Sequence, residues 1–376
     1  MIIPDSIIKQ ENVIDTTVTG LDSEKAIKQE IDDIAKKLIK SKYNIGLVVA
    51  VLHKNKTNIY SYGYADKDKE TKMNENTIFG IGSNTKLLIN SLALILEAKN
   101  IIDYDEEIGD ILPKSINFKD PNTSQITLRQ LVLHSSGFPR EPKDLKTSRI
   151  MLSYICTGKN IYRHIDKEYL YAYLENFKLT KRKKQKTTYS NIGSGLLAHL
   201  LTLKTNKSLS QLAEEHLFQP LNMNNTTFTI PNQNEHLSIG YVGDFPPGMR
   251  KNKPLENWQW SDIMVGTGGA FSNAKDLLAI TKAHLSLSNT HLDTIFKQSH
   301  EIFTNDGELS YTMAWQVKEF ENYKTTIHYK YGVIAGFSCY VGINIKTNDA
   351  VIVLKNNFNW KDEIGHNILL KLAAKK

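Results

Sequence analysis

The chain has 376 residues, of which 40% are hydrophobic and 23% charged, a balance typical of a globular protein with a sizeable core. This length fits two domains, or one large domain with an insertion. Lys and Arg number 47 against 40 Asp and Glu, which gives a net charge of +7. Because the lysines are spread along the chain and no groove-reading motif accompanies them, we expect no nucleic-acid partner. An anionic polymer or membrane surface accounts better for the charge.

The first residues, Met1 to Asp5, lack both a basic segment and a long apolar segment, so the sequence as given predicts no signal peptide. Either a leader has been removed, or the protein stays inside the cell. No run approaches about 20 apolar residues, so we also expect no transmembrane segment.

The cysteines and histidines indicate no metal site and no cofactor. Cys156 and Cys339 do not form a C-x-x-C pair, and the eleven histidines contain no H-E-x-x-H spacing. Two buried apolar thiols are the simplest interpretation of the cysteines. A single disulfide in an oxidising compartment stays open as the alternative.

Both ends of the chain predict parts of one antiparallel sheet. Residues 22–42 have the pattern of an amphipathic helix capped by Asp22 or Ser23, and a hairpin of strands 45–52 and 59–64 follows. Near the other end, strands 336–345 and 350–354 precede a helix over 362–374. These strands are best satisfied by pairing with each other, with the terminal helices covering one face.

The middle of the chain is mostly helical. Helices are predicted over 87–96, 128–133 (with Gly137 as the stop signal), 192–203 and 209–217. The sequence therefore predicts an α/β (α+β) fold in which 1–79 and 301–376 form an α/β domain, 80–300 form an inserted helical domain, and a site lies between them. The charge run 181–186 is predicted to be a solvated loop.

The first candidate site is Ser83-Asn84-Thr85-Lys86, which follows a glycine-containing turn and opens an apolar helix. A serine on the first helical turn lies in the positive end of the helix field. The lysine three positions later lies one turn on, so its amine can reach the serine hydroxyl. Lysine can act as the base that activates a hydroxyl only if burial or nearby positive charge lowers its pKa.

The same S-x-x-K pattern recurs at Ser272 and Lys275, so the pattern alone is weak. There a structural interpretation fits, because Ser272 stands where a helix N-cap is expected. Ser83 could be an N-cap too. What distinguishes the copy at Ser83 is that two further motifs with compatible chemistry follow it in the chain.

Two further motifs contain residues that can act together with Ser83 and Lys86. Tyr189-Ser190-Asn191 precedes an apolar helix; a phenol near two lysines can lose its proton more easily and relay protons, and the Asn191 amide can bind a substrate peptide group. Lys330-Tyr331-Gly332-Val333 leads into a strand, where a lysine on a strand edge followed by glycine offers positive charge and close backbone approach. Each motif alone is also compatible with a capping turn or a surface turn.

Taken in order, these three motifs resemble those of class C β-lactamases and the related penicillin-binding DD-peptidases. Three intervening segments also match: residues 133–141 (LHSSGFPRE), 220–226 (PLNMNNT) and 266–272 (GTGGAFS). The resemblance covers about 45–355. The PRE sequence at 139–141 most resembles the carboxypeptidase/endopeptidase branch that trims peptidoglycan.

The resemblance implies a role for each motif residue. Ser83 would be the acylated nucleophile, with Lys86 and Tyr189 sharing the proton transfers. Lys330 would hold the substrate carboxylate and keep Tyr189 acidic, and the amides of Ser83 and Val333 would form the oxyanion hole. Asn191, Tyr331, Gly332 and Val333 would contact the substrate. A peptidoglycan peptide or a β-lactam would be that substrate, in the periplasm or outside the cell.

Two departures from the family pattern stand out. Tyr331 occupies a place where the family usually has a hydroxyl or small residue, so its bulk either narrows the site or turns outward. Asn222 replaces a glycine, a mild change because Asn tolerates left-handed backbone.

Four functions are compatible with this pattern. A D-alanyl-D-alanine carboxypeptidase/endopeptidase that binds penicillin leads. An esterase or amidase, favoured by Tyr331, comes second, and a class C-like β-lactamase third. A non-catalytic protein that binds the cell wall is the remoter alternative. The sequence leaves the oligomeric state open.

Overall fold

The computed structural model describes residues 20–40, 45–179, 187–231, 234–244, 246–305, 310–359 and 363–374. The predicted solvated loop 181–186 lies outside this part of the chain. The strands are β1 (Gly46–His53), β2 (Lys56–Asp66), β3 (Thr71–Lys72), β4 (Phe79–Gly80), β5 (Gly240–Tyr241), β6 (Pro254–Leu255), β7 (Phe271–Ser272), β8 (Thr304–Asn305), β9 (Ser310–Tyr311), β10 (Gln316–Phe320), β11 (Thr325–Ile334), β12 (Phe337–Asn344) and β13 (Asp349–Lys355). The helices are α1 (Glu24–Lys40), α2 (Thr85–Ala98), α3 (Ile108–Ile111), α4 (Pro121–Ser124), α5 (Leu128–Val132), α6 (Leu145–Thr157), α7 (Lys167–Asn176), α8 (Asn191–Thr205), α9 (Leu209–Ala213), α10 (Gln219–Leu221), α11 (Val265–Gly268), α12 (Ala274–His284), α13 (Leu292–Lys297) and α14 (Ile364–Ala373).

Nine strands form one antiparallel sheet in the order β3-β2-β1-β13-β12-β11-β10-β9-β8. The two chain ends meet where β1 pairs with β13, with Leu47 opposite Lys355 and Leu52 opposite Ala350. This confirms the predicted fold class, a sheet built from both ends and flanked by helices.

Side chains alternate across the sheet and separate two apolar clusters. Along β1, Leu47, Val49 and Val51 face α1 and α14, whereas Val48, Ala50 and Leu52 face the helices of the middle of the chain. The cluster on the side of α1 and α14 also includes residues from one face of α1, namely Ile27, Ile31 and Ala35. The second cluster continues from the sheet deep into the helices, and the proposed division into two domains therefore stays a prediction.

Helix α2 is buried on every side from Thr85 to Leu96, as its mostly apolar sequence favours. A 3₁₀ turn, Gly82–Asn84, leads into it and packs on β11. Gly82 has a φ of +52°, and a Cβ placed on it would meet the Val333 nitrogen at 2.7 Å. A Cβ on Gly332 would meet the Ile81 carbonyl oxygen at 2.1 Å and the Ser83 nitrogen at 2.9 Å. Only glycine at both positions lets turn and strand approach this closely.

The hairpin between β11 and β12 has a two-residue turn at Ala335 and Gly336, both with positive φ, which is the type I′ geometry that suits strand twist. Strand β10 pairs with β11 only as far as Tyr329. Among the described strands, none pairs with residues 330–334 on that side. This half of β11 is therefore an open edge.

Some local predictions were wrong. Ser272 lies in β7, and the N-cap of α12 is Asn273, whose side chain accepts from the Asp276 amide at 2.9 Å. The reason is that Ser272 is drawn into the β4–β7 pair, which moves the helix start by one residue. Helix α5 ends at Val132, where His134 rather than Gly137 takes the first left-handed conformation.

Three other local predictions have clear outcomes. Ser23 caps α1 by accepting from the Ala26 amide, as predicted. Both cysteines are free, but Cys156 is exposed and only Cys339 is buried. No helix in the described ranges is long and apolar enough to cross a membrane.

We predict that Gly332→Ala destabilises the protein by about 1–3 kcal/mol, because the added methyl overlaps backbone atoms of the 82–84 turn. Gly193→Ala, on the first turn of α8, is the matched control, since its Cβ would meet nothing closer than 3.3 Å. Chemical denaturation of both variants measures the difference. Equal stability of the two variants would show that turn and strand are not in close contact.

Candidate active site

Ser83 is accessible at the centre of a buried segment. It is the only residue from Thr77 to Leu96 that is not buried. The turn that carries Ser83 is fixed by a hydrogen bond on each side of it. The Ile81 amide donates to the Ala270 carbonyl at 3.0 Å, and Asn84 Nδ2 donates to the Cys339 carbonyl at 2.9 Å. Its hydroxyl is therefore presented to a cleft by a rigid support.

Lys86 lies one turn further on and is fully buried. Its Nζ contacts three oxygens: Ser83 Oγ at 3.3 Å, Asn191 Oδ1 at 2.9 Å and the Thr267 carbonyl at 2.6 Å. Burial, reinforced by the positive charge of Arg140, lowers the pKa of Lys86 well below its usual value, and Glu141 acts in the opposite direction. This lowered pKa favours the neutral amine, the form that can accept a proton.

Tyr189 approaches Ser83 from the other side, and the two hydroxyls share a hydrogen bond. The Lys86 Nζ lies 5.0 Å and the Arg140 guanidinium 4.8 Å from the centre of the Tyr189 ring. Burial raises the pKa of Tyr189, although Arg140, the Ser83 hydrogen bond and Lys330 lower it. Lys330 thus acts on the Tyr189 pKa in the expected direction, but burial outweighs it, so the net shift is upward and the expected acidic phenol is not found.

The loop after α5 holds the second motif in place. The Ser190 amide donates to His134 Nδ1 at 3.2 Å, Ser190 Oγ donates to the Pro139 carbonyl at 2.8 Å, and the Asn191 amide donates to the Arg140 carbonyl at 3.0 Å. Ser190 also caps α8 by accepting from the Gly193 amide. Burial holds the pKa of His134 well below its usual value, so its ring is a neutral acceptor.

Lys330 enters from β11 and is buried on the face of the sheet that carries α2. Burial lowers its pKa to about 8, with the nearby Tyr189 raising it and Lys86 lowering it. A positive charge is therefore available beside the phenol at neutral pH and is lost in mildly alkaline solution.

The backbone of β11 adds two groups. The two-residue turn at 335–336 makes Ile334 and Phe337 a hydrogen-bonded pair, and the next such pair is Gly332 with Cys339. Because hydrogen-bonded and non-hydrogen-bonded pairs alternate, the Val333 amide points away from β12, to the open edge. Gly82 approaches the Val333 nitrogen and Gly332 approaches the Ser83 nitrogen, so the Ser83 and Val333 amides lie near each other, and both residues line the cleft. Two N–H groups so arranged can stabilise an oxyanion.

The side chain of Tyr331, a predicted site residue, is not brought to the cleft. It packs against the cluster between the sheet and the terminal helices. Successive side chains on a strand point to opposite faces, so Lys330 and Gly332 face Ser83 and Tyr331 cannot. The prediction of substrate contact by this side chain was wrong, and its bulk turns outward.

The cleft contains residues that the three motifs did not identify. Its walls are aromatic: the Tyr162 ring stacks on Trp260 at 5.3 Å, and the Tyr154 ring meets Trp258 edge-on at 5.5 Å. Arg140, Glu141, Met151 and Thr267 are among the other lining residues. The closely spaced Trp258 and Trp260, half of the tryptophans in the chain, were the available signal.

A serine hydroxyl between a lysine amine and a tyrosine phenol, beside two converging amides, defines an active-site serine hydrolase. The model of the β-lactamase family matches residues 31–375. The chain therefore belongs to the β-lactamase family, and the resemblance of its three motifs to this family is confirmed.

Comparison with known proteins agrees with this assignment. A β-lactamase of Providencia stuartii is 24% identical over 304 residues, which are 80% of this chain and 71% of that protein. The D-alanyl-D-alanine-carboxypeptidase/endopeptidase AmpH of Escherichia coli K12 is 25% identical over 242 residues, 64% of this chain and 57% of AmpH. The match thus spans little more than half the length of AmpH.

Solved structures share the fold. A class C β-lactamase from Rhodobacter sphaeroides superposes with a TM-score of 0.73, at 18% identity, over 92% of this chain and 96% of that one. At this identity the similarity establishes the fold alone.

We predict that Tyr331→Phe leaves kcat/KM within about twofold for any substrate that is turned over, because the ring lies on the far face of the sheet. Steady-state kinetics check this, with thermal unfolding as the control for folding. A tenfold change in KM with unchanged stability would place the Tyr331 side chain in the cleft after all.

Proposed function

We propose that the protein is a D-alanyl-D-alanine carboxypeptidase/endopeptidase that acts on peptidoglycan peptides through an acyl-enzyme at Ser83. The three contacts of Lys86 Nζ carry this proposal. Two are to acceptors that cannot donate, the Thr267 carbonyl and Asn191 Oδ1, and they engage two amine hydrogens. The third is to the Ser83 hydroxyl, which can donate. A neutral amine therefore directs its lone pair at the nucleophile.

The proton transfers follow from this arrangement. The Lys86 amine takes the Ser83 proton as Oγ attacks the substrate carbonyl carbon, and the Ser83 and Val333 amides hold the oxyanion. Tyr189, whose pKa burial keeps high, retains its proton and donates it to the leaving amine as the carbon–nitrogen bond breaks. Lys86 passes its added proton to the Tyr189 oxygen, which restores the neutral amine and phenol. Water then attacks the ester carbonyl carbon as Lys86 takes one of its protons, and Lys86 returns that proton to Ser83 Oγ as the carbon–oxygen bond breaks.

Two features favour a peptide substrate. The open edge of β11 beside the cleft can pair with an extended chain. The charge of Lys330 can hold a substrate carboxylate. AmpH, a carboxypeptidase/endopeptidase by name, is 25% identical to this chain over 242 residues. Peptidoglycan lies outside the cytoplasm, so this substrate implies a periplasmic or extracellular enzyme.

A β-lactamase is the second candidate, because a relative with that name covers 80% of the chain. The two functions share acylation and differ in how fast water removes the acyl group. The outward position of Tyr331 removes the feature that had favoured an esterase or amidase.

We predict that brief treatment with benzylpenicillin adds one penicilloyl group to the intact protein, detected by mass spectrometry, and that Ser83→Ala abolishes the adduct. Ser272→Ala is the matched control, since Ser272 has the same S-x-x-K pattern but is buried, with its Oγ 2.8 Å from Thr226 Oγ1. It should label normally. A peptidase holds the adduct for minutes or longer and releases D-alanine from a peptide ending in D-Ala-D-Ala.

Loss of the adduct within seconds would instead identify a β-lactamase. No adduct and no D-alanine release would reject the proposed function.

The dependence of kcat/KM on pH gives a further test. Lys330 is protonated below its pKa of about 8, so we expect kcat/KM for the D-Ala-D-Ala peptide to fall as pH rises through about 8. Lys330→Arg keeps its charge and should move this fall to higher pH. An unchanged wild-type kcat/KM up to pH 10 would contradict a role for the Lys330 charge.

A further inference from the structure

A buried hydrogen-bond network connects Lys86 to a carboxylate that the three motifs do not include. Asn191 Oδ1 accepts from Lys86, while Asn191 Nδ2 donates to both Glu141 Oε1 and Tyr162 OH at 2.7 Å. The Tyr162 hydroxyl donates to the same Glu141 oxygen at 2.7 Å. All four side chains are more than nine-tenths buried. Every step of the network leads away from Lys86 and ends at Glu141.

We propose that Glu141 is a positioning residue for the reaction at Ser83, which fixes the orientation of Asn191 and supplies the negative charge that opposes Arg140 around Lys86. This inference rests on the proposed role of Lys86 as the base. It assigns no substrate contact to Glu141.

The orientation of Asn191 decides whether Lys86 can act. An ionised carboxylate only accepts hydrogen bonds, so it requires the NH₂ group of Asn191 to face it and leaves Oδ1 for Lys86. A rotated Asn191 would donate a hydrogen to the amine lone pair and occupy the electrons that must take the Ser83 proton. Because Nδ2 donates both its hydrogens within the protein, Asn191 holds Lys86 and has no N–H left for a substrate.

The charge of Glu141 has a second effect. Burial and Arg140 both lower the pKa of Lys86, and a base whose pKa falls too far binds the serine proton weakly. Glu141 raises that pKa towards the working range. Burial raises the pKa of Glu141 itself, whereas the hydrogen bonds from Tyr162 and Asn191 and the charges of Arg140 and Lys86 lower it and favour the carboxylate. Glu141 Oε2 is buried and has no hydrogen-bond partner among the described residues. The ionisable or charged groups that face Lys86 or Glu141 are Arg140, Tyr162, Tyr189, Lys330 and His134.

The test measures the reactivity of Ser83 with a small fluorophosphonate, which needs no specific substrate. Rates of labelling are followed by mass spectrometry from pH 5 to 10 for the full chain and for Glu141→Gln. Glutamine keeps the shape but loses the charge and can present its own NH₂ to Asn191. We expect the labelling rate at neutral pH to fall about tenfold or more. The acidic limb of the profile should move to lower pH by about one unit.

Tyr162→Phe is the matched variant, since it removes the two hydrogen bonds of the Tyr162 hydroxyl, one to Glu141 and one from Asn191, and leaves the Glu141 carboxylate in contact with Asn191 Nδ2. Its acidic limb should coincide with that of the wild type. Thermal unfolding confirms that each variant is folded. A merely structural role of Glu141 would lower stability without moving the limb.

Two results would overturn the inference: a Glu141→Gln profile that matches the wild type within twofold at every pH, or a wild-type Ser83 that the probe never labels. Failure of the proposed peptidase function looks different. In that case the probe labels Ser83 with the expected dependence on Glu141, while penicillin leaves no adduct and no D-alanine is released.

Discussion

The burial of one lysine amine is the constraint on which the rest of the site depends. Lys86 Nζ is enclosed at the start of a buried, mostly apolar helix, where an ammonium ion loses its hydration. The protein offers it two fixed acceptors, Asn191 Oδ1 and the Thr267 carbonyl, and a third oxygen that can reverse its role, Ser83 Oγ. A poor environment for a cation is thus a good one for a neutral base.

The fold brings distant segments to this amine by a few close contacts. Glycines on the 82–84 turn and on β11 let backbone meet backbone, which brings the Ser83 and Val333 amides together. The loop from His134 to Glu141 is hydrogen-bonded to the segment that carries Tyr189 and Asn191. Helix α11 supplies the Thr267 carbonyl, which accepts from Lys86. Four separate parts of the chain therefore determine the position of a single proton. Mutation at any of these contacts should alter reactivity before it unfolds the protein.

The sequence predicted the sheet and the grouping of the motifs well, because alternation of apolar residues and motif order are local or linear signals. It predicted the site less well where desolvation sets a pKa or where backbone geometry sets the direction of a side chain. The upward shift of the Tyr189 pKa depends on burial outweighing two positive charges and a hydrogen bond from Ser83, which no motif reveals. The outward position of Tyr331 follows from strand alternation, but only once Lys330 is known to face Ser83. Glu141 and Tyr162 were missed as partners of Asn191 because their contacts with it join residues 50 and 29 positions apart.

The central claim concerns the protonation of Lys86, and titration of that side chain tests it most directly. Protein labelled with ¹³C at lysine Cε can be followed by NMR from pH 5 to 11, with Lys86→Met identifying the resonance. The account predicts that Lys86 titrates well below the ordinary lysine value of 10.5, apart from the exposed lysines. A Lys86 resonance that titrates together with the exposed lysines would contradict it.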